Sequence, residues 1–162
     1  SAFLNKIMNE CISMFESEKI QILWQTGQNQ YDDFKHLNSS IVKVQPFIHN
    51  MPEAYAISDL IISRAGALTL SEITACGKPS ILVPFPHSAG DHQTKNAESI
   101  AKVKAAILLP EKELTARKLF RSAINILYDD NKLKSMSSNS RKLGVPDATN
   151  KIIDQILEVA KN

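Results

Sequence analysis

The sequence predicts an α/β domain built on a doubly wound parallel sheet, and three observations predict it. Short apolar runs alternate with amphipathic stretches along almost the whole chain; the run "DLIIS" is apolar at successive positions, as a strand covered on both faces is; and glycines and prolines punctuate the joints. Strict strand-helix alternation implies right-handed crossovers, hence parallel strands with helices on both faces. At 162 residues the chain suits one domain, or one half of a two-domain protein, and can bury a substantial core.

Taken in order, an amphipathic helix is expected from about Phe3 to Phe15, then a strand in "IQILWQTG" ending at the turn glycine Gly27. A short polar helical stretch leads to "IVKVQPF", a second strand closed by Pro46. "NMPEAYAIS" reads as a short helix with Pro52 in its first turn, where a missing N–H costs nothing. "DLIIS" is the third strand, and "ALTLSEITAC" a helix stopped by Gly77 with Pro79 just beyond. "SILVPF" is the fourth strand, "DHQTKNAESIAKV" a helix and "AAILLP" the fifth strand. Helices finish the chain, including "LTARKLFRSAINILYDD" and "DATNKIIDQILEVAKN", where Ile152, Ile153, Ile156, Leu157 and Ala160 recur at helical spacing.

Composition narrows the function classes. No apolar stretch approaches the roughly 20 residues of a membrane-spanning helix, and the first residues have no signal-peptide pattern. Cys11 and Cys76 both fall in apolar-periodic segments, which reads as two buried thiols in a reducing, cytoplasmic compartment. Residues 95–142 hold eleven Lys/Arg against five Asp/Glu, whereas residues 1–94 hold six against nine. These lysines spread along helical faces without interleaved aromatics, so they read as solvated surface and nucleic acid is not an expected partner.

Ligands of such sheets bind outside the carboxyl ends of the strands. There the strand ending at Ser63 delivers Arg64, Ala65 and Gly66, and the next helix begins with free N–H groups and its positive dipole end aimed at the same space. A phosphate suits that position, with Gly66 allowing close approach and Arg64 able to add charge-assisted bonds. Glu72 would be misplaced beside a phosphate unless it accepts hydrogen bonds from hydroxyls, and a ribose supplies two. "TLSE" equally matches a capping box in which Thr69 caps the helix and Glu72 reaches back. The loop "PFPHSAGDHQTKN" weighs toward a ligand, because it carries His87, Asp91, His92, Gln93 and Asn96 into the same crevice, a donor and acceptor set suited to sugar hydroxyls. His87 and His92 lack the cysteine or paired acid of a zinc site, and no G-x-G-x-x-G follows a strand, so neither a metal nor a dinucleotide nor any other cofactor is expected.

"SRAGALTLSEI", "GKPSILVPFP" and "DHQTKNA", with "PFIHNMPEAYAISDLIISRAG" before them and "GVPDAT" after, resemble the carboxyl-terminal half of the MurG family. These are bacterial transferases that move N-acetylglucosamine from its UDP donor to the lipid-linked peptidoglycan precursor. The resemblance is strongest from Val44 to Ala97, where the motifs follow the family's order and spacing. It implies a Rossmann-like, donor-binding half of a GT-B glycosyltransferase occupying residues 1–162. It implies that Ile48 and Met51 lie along the uracil, Ile48 through backbone hydrogen bonds, and that Gly66, Ala67, Leu68 and Thr69 hold the diphosphate. Glu72 would bind the ribose hydroxyls, Arg64 would sit beside the pocket, and His92, Gln93 and Asn96 would contact the sugar. The implied partners are UDP-N-acetylglucosamine, a lipid-linked N-acetylmuramyl-pentapeptide acceptor held by a separate amino-terminal domain, and, peripherally, the cytoplasmic face of the membrane.

In that family a strand and a Gly-Gly-Ser-x-Gly loop precede the helix that "FLNKIM" resembles. The expectation is therefore a fragment of a longer two-domain enzyme, without its acceptor site and base, whose first strand would lie centrally between "IQILWQ" and "DLIIS". A sugar-nucleotide 2-epimerase of the same fold, and a donor-binding subunit of a two-chain transferase, are the alternatives.

Overall fold

The computed structural model describes residues 1–144. The helix expected in "DATNKIIDQILEVAKN" and most of "GVPDAT" lie outside the described residues. Helix α1 (Ala2–Ser17) buries Ile7, Met8, Cys11, Ile12 and Phe15, an apolar face at helical spacing. Strand β1 (Ile22–Gln25) follows, then the single turn α2 (Tyr31–Phe34), whose Phe34 ring packs 4.9 Å from Trp24, and strand β2 (Val42–Gln45). In helix α3 (Met51–Ile57) the Asn50 side chain accepts the Glu53 N–H, so the cap and Pro52 together satisfy the first turn.

Strand β3 (Ile61–Ser63) runs into helix α4 (Ala67–Ala75), strand β4 (Ser80–Leu82), helix α5 (His92–Lys102) and strand β5 (Ala106–Leu108). Gly77 ends α4 at φ +61°, a conformation that glycine adopts without strain. Its N–H bonds the Thr74 carbonyl while the Lys78 N–H reaches Ile73, the paired closure of a glycine-terminated helix. Helix α6 (Ala116–Leu127) is capped by Thr115 and α7 (Asp130–Leu143) by Asp129, each side chain accepting an N–H three residues on.

All strand pairs are parallel, as alternation requires, but the strands form two ladders: β1 with β2, and β3-β4-β5. The strands β1 and β3, between which the family's further strand is expected, share no ladder among the described residues. Apolar packing joins the two instead. Ile81 and Val83, fully buried, belong with Trp24, Val42 and Val44 to a core that α1 and α6 cover, and Phe15 meets Phe120 edge-on at 5.2 Å. Between them in sequence, Leu82 faces the opposite way into a second core with Tyr55, Ala65, Leu70, Ile73 and Ala97. β4 is thus covered on both faces, and truncating Leu82 to Ala would cost about 2–5 kcal/mol.

One expectation about the thiols is corrected. Cys11 is wholly buried and donates to the Ala116 carbonyl at 3.2 Å, whereas Cys76 is only half-buried, because it caps the end of α4 at the rim of the second core. No helix among the described residues is long and apolar enough to cross a membrane.

Candidate functional site

The carboxyl ends of β2, β3 and β4 open toward the loops that the sequence singled out. Beside them, the carboxyl end of β1 is held by a buried polar network. The Trp24 indole N–H donates to Asn5 Oδ1 at 3.1 Å, and Asn5 Nδ2 donates to the Thr26 carbonyl and to Gln30 Oε1, each at 2.8 Å. Gln25, at the end of β1, accepts the Ile48 N–H on Oε1 at 2.8 Å. The backbone donor of Ile48 is therefore engaged by a side chain. Met51 opens α3 and packs half-buried against the second core.

Three residues separate β3 from α4, and the turn is made at Gly66. This residue is the N-cap, with φ −68° and ψ 143°, and its carbonyl accepts the first helical bond from Leu70 at 2.9 Å. No side chain caps the helix, so the N–H groups of Ala67, Leu68 and Thr69 have no helical partner. The capping-box alternative fails on this geometry: Thr69 lies inside the first turn, and the Glu72 carboxylate is bonded by the Tyr55 hydroxyl at 2.9 Å rather than by the helix start. A Cβ built on Gly66 would meet only Thr69 Oγ1, at 3.9 Å. The fold does not need a glycine there; the space it spares belongs to the crevice.

Gly66 and Ala67 form one wall of a cleft of about 430 Å³ whose other wall is Ser88, Ala89, His92, Gln93 and Asn96. Asn96 Nδ2 donates to the Ala65 carbonyl at 3.3 Å, tying α5 to the β3–α4 turn. Gln93 Oε1 accepts the Phe85 N–H at 3.0 Å, and the Gln93 N–H donates to Ser88 Oγ at 3.2 Å, so this residue folds the loop back on itself. His92 and Asp91 are exposed at the start of α5, Asp91 in the left-handed region at φ +54°, and His87 is exposed with its ring edge-on to Phe85. His92, Gln93 and Asn96 are thus brought to one cleft with Gly66 and Ala67, while Glu72 lies further along α4, beside Tyr55.

Arg64 behaves differently from expectation. Its guanidinium donates to the Val83 and Pro84 carbonyls and to Ser1 Oγ, pairs with Glu111, and lies 5.5 Å from the Phe85 ring centroid. These internal partners, rather than an open face, take up its charge. Tyr55, Gln25 and Glu111 carried no signal in the sequence reading. Tyr55 repeats the helical spacing of a core aromatic, four residues after Met51, and only the fold shows its hydroxyl on Glu72. Burial first, then the bond to Glu72 and the charge of that carboxylate, push the Tyr55 phenol above its usual range.

A larger concavity of about 540 Å³ lies at the opposite, amino ends of β3 and β4, between Asp59, Lys78 and the α7 residues Lys134 and Arg141. Its lysine at 78 is occupied by the Ala56 carbonyl near the end of α3, the ordinary role of a cation there.

The fold and the crevice define a Rossmann-like α/β domain in which an uncapped helix start sits beside the polar side chains of α5. The chain belongs to the glycosyltransferase family 28 C-terminal domain, whose family model matches residues 1–152. It is 42% identical to the UDP-N-acetylglucosamine–N-acetylmuramyl-(pentapeptide) pyrophosphoryl-undecaprenol N-acetylglucosamine transferase 1 of Bacillus cereus, over 98% of this chain and 45% of that protein. It is similar to the crystal structure of Acinetobacter baumannii MurG, with a TM-score of 0.73 and 33% identity over 83% of this chain and 40% of that one. The glycosyltransferase of kitacinnamycin shares the fold at a TM-score of 0.68 and 18% identity, over 93% of this chain and 39% of that one. The chain spans less than half the length of the relatives it matches.

Proposed function

We propose that this chain is the donor-binding half of an inverting glycosyltransferase that moves N-acetylglucosamine from UDP-N-acetylglucosamine to undecaprenyl-pyrophosphoryl-N-acetylmuramyl-pentapeptide. The observation that carries this reading is the α4 start: unpartnered N–H groups at Ala67, Leu68 and Thr69, on the helix that carries Glu72 and beside the polar cleft of His92, Gln93 and Asn96. In this reading the diphosphate lies on the helix N-terminus, where backbone dipoles stabilise the charge that builds on the leaving UDP. The ribose bonds Glu72, the uracil lies along Ile48 and Met51, and the hexose meets the α5 side chains.

The acceptor hydroxyl attacks the anomeric carbon from one face and UDP departs from the other, with the sugar held in line. The acceptor site and the base that takes its proton belong to the rest of such an enzyme, working at the cytoplasmic face of the membrane.

Calorimetry with UDP-N-acetylglucosamine, UDP and a purine diphosphate tests the donor reading, with preference for both uridine ligands expected and equal binding of all three refuting it. Supplying a lipid-linked acceptor tests the division of labour: this chain alone is expected to transfer no labelled sugar. Release of a 2-epimer from UDP-N-acetylglucosamine without acceptor would favour the epimerase instead.

A further inference from the structure

Glu72 stands on α4 beside Tyr55 on a side chain with three rotatable bonds, and an unrestrained carboxylate of that length loses rotamer entropy whenever a ligand fixes it. Here it is already fixed on one side. Tyr55 is 4% exposed, its ring part of the second core, and its hydroxyl donates to Glu72 Oε2 at 2.9 Å from a different helix. Glu72 itself is half-buried, and its other oxygen, Oε1, accepts no hydrogen bond among the described residues. A buried phenol seeks a partner for its O–H, but many carbonyls could serve; this one binds the single acid of α4.

We propose that Tyr55 is the positioning residue of the ribose subsite, holding the Glu72 carboxylate across the α3–α4 contact so that its free oxygen is presented to a vicinal diol. The inference rests on the proposed role of Glu72 and deepens it: recognition of the ribose is a property of two helices rather than of one side chain. A charge-assisted hydrogen bond made before the ligand arrives removes part of the ordering cost from binding.

Three variants separate this from a packing role: Tyr55→Phe, which keeps the ring, Glu72→Ala, and the double variant, each titrated with UDP and with 2′,3′-dideoxyuridine diphosphate and each melted thermally. Tyr55→Phe is expected to weaken UDP roughly fivefold while leaving the dideoxy ligand unchanged, and to add nothing once Glu72 is Ala. Equal weakening of both ligands by Tyr55→Phe would reduce Tyr55 to a packing residue and overturn the inference. A diol-selective loss in Glu72→Ala with none in Tyr55→Phe would overturn it too, while leaving the ribose role of Glu72 standing. Loss without diol selectivity in Glu72→Ala, or no UDP binding by the unsubstituted chain, would remove the underlying reading and the inference together.

Discussion

The Arg64 guanidinium lies 2.6 Å from the Glu111 carboxylate, and the two side chains are only 18% and 20% exposed. The pair ties the residue after β3 to the turn after β5, while the other bonds of Arg64 hold the two carbonyls that follow β4. Three strand ends are thereby locked into one rim. Arg64→Ala would leave Glu111 without its cation and is expected to destabilise the fold by about 2–4 kcal/mol, near the lower range for breaking a buried pair. Arg64→Lys should recover little, since an ammonium cannot reproduce the fork. Urea unfolding of both variants checks this; an Arg64→Ala protein of full stability with selectively weak UDP binding would mean that Arg64 serves the ligand instead.

Gly66 separates folding from binding. Its backbone angles are open to any residue and its Cβ position is unobstructed, so in Gly66→Ala the lost entropy of the unfolded chain offsets the poorer N-cap, and stability is expected to change by less than about 1 kcal/mol. The added methyl stands where the diphosphate is proposed to approach the helix. UDP affinity should therefore fall by tenfold or more while the melting temperature does not, a combination readable from one calorimetric and one thermal series.

Sugar choice is best tested at His92. Because the Gln93 side chain holds the Phe85 N–H, Gln93→Ala would unfasten the loop and weaken UDP and UDP-N-acetylglucosamine alike. His92 is exposed and fastens nothing among the described residues. His92→Ala is expected to lower affinity for UDP-N-acetylglucosamine severalfold and to leave UDP nearly unaltered; equal changes for both ligands would exclude His92 from the hexose subsite.

Alkaline stability should report on Cys11. Burial first, and the nearby Glu10 charge second, push its thiol from 9.0 up to about 12. Between those values the unfolded chain loses a proton that the folded chain keeps, so stability is full below about pH 9 and falls as pH rises toward 12. Cys11→Ala is expected to lose stability from the vacated space yet show a shallower decline over that window, as measured by urea midpoints from pH 8 to 10.5.

Much of this architecture could be read before any coordinates. The alternation located the five strands of the described residues, and Gly77 with Pro79 marked the end of α4. Each of these rests on a local pattern. The start of α4 at Ala67 was legible too, but "TLSE" also satisfies a cap rule locally, and only the position of Gly66 as the N-cap decides between the two readings. The contacts Tyr55–Glu72 and Arg64–Glu111 join residues that no periodicity relates, so they become visible only when helices and strand ends are brought together. Gln25 on the Ile48 N–H is of the same kind, a side chain from one strand closing the end of the next.

The two ladders of the described residues meet along an apolar seam. Trp24, Val42 and Val44 close it from the β1–β2 side, and no ladder bond crosses it among the described residues. Ile48 lies just beyond β2 and Gly66 just beyond β3. A nucleotide seated with its base on the first and its diphosphate on the second is therefore a clasp across the seam, slowing amide exchange in β1 and β2 far more than in β4, which is already enclosed on both faces.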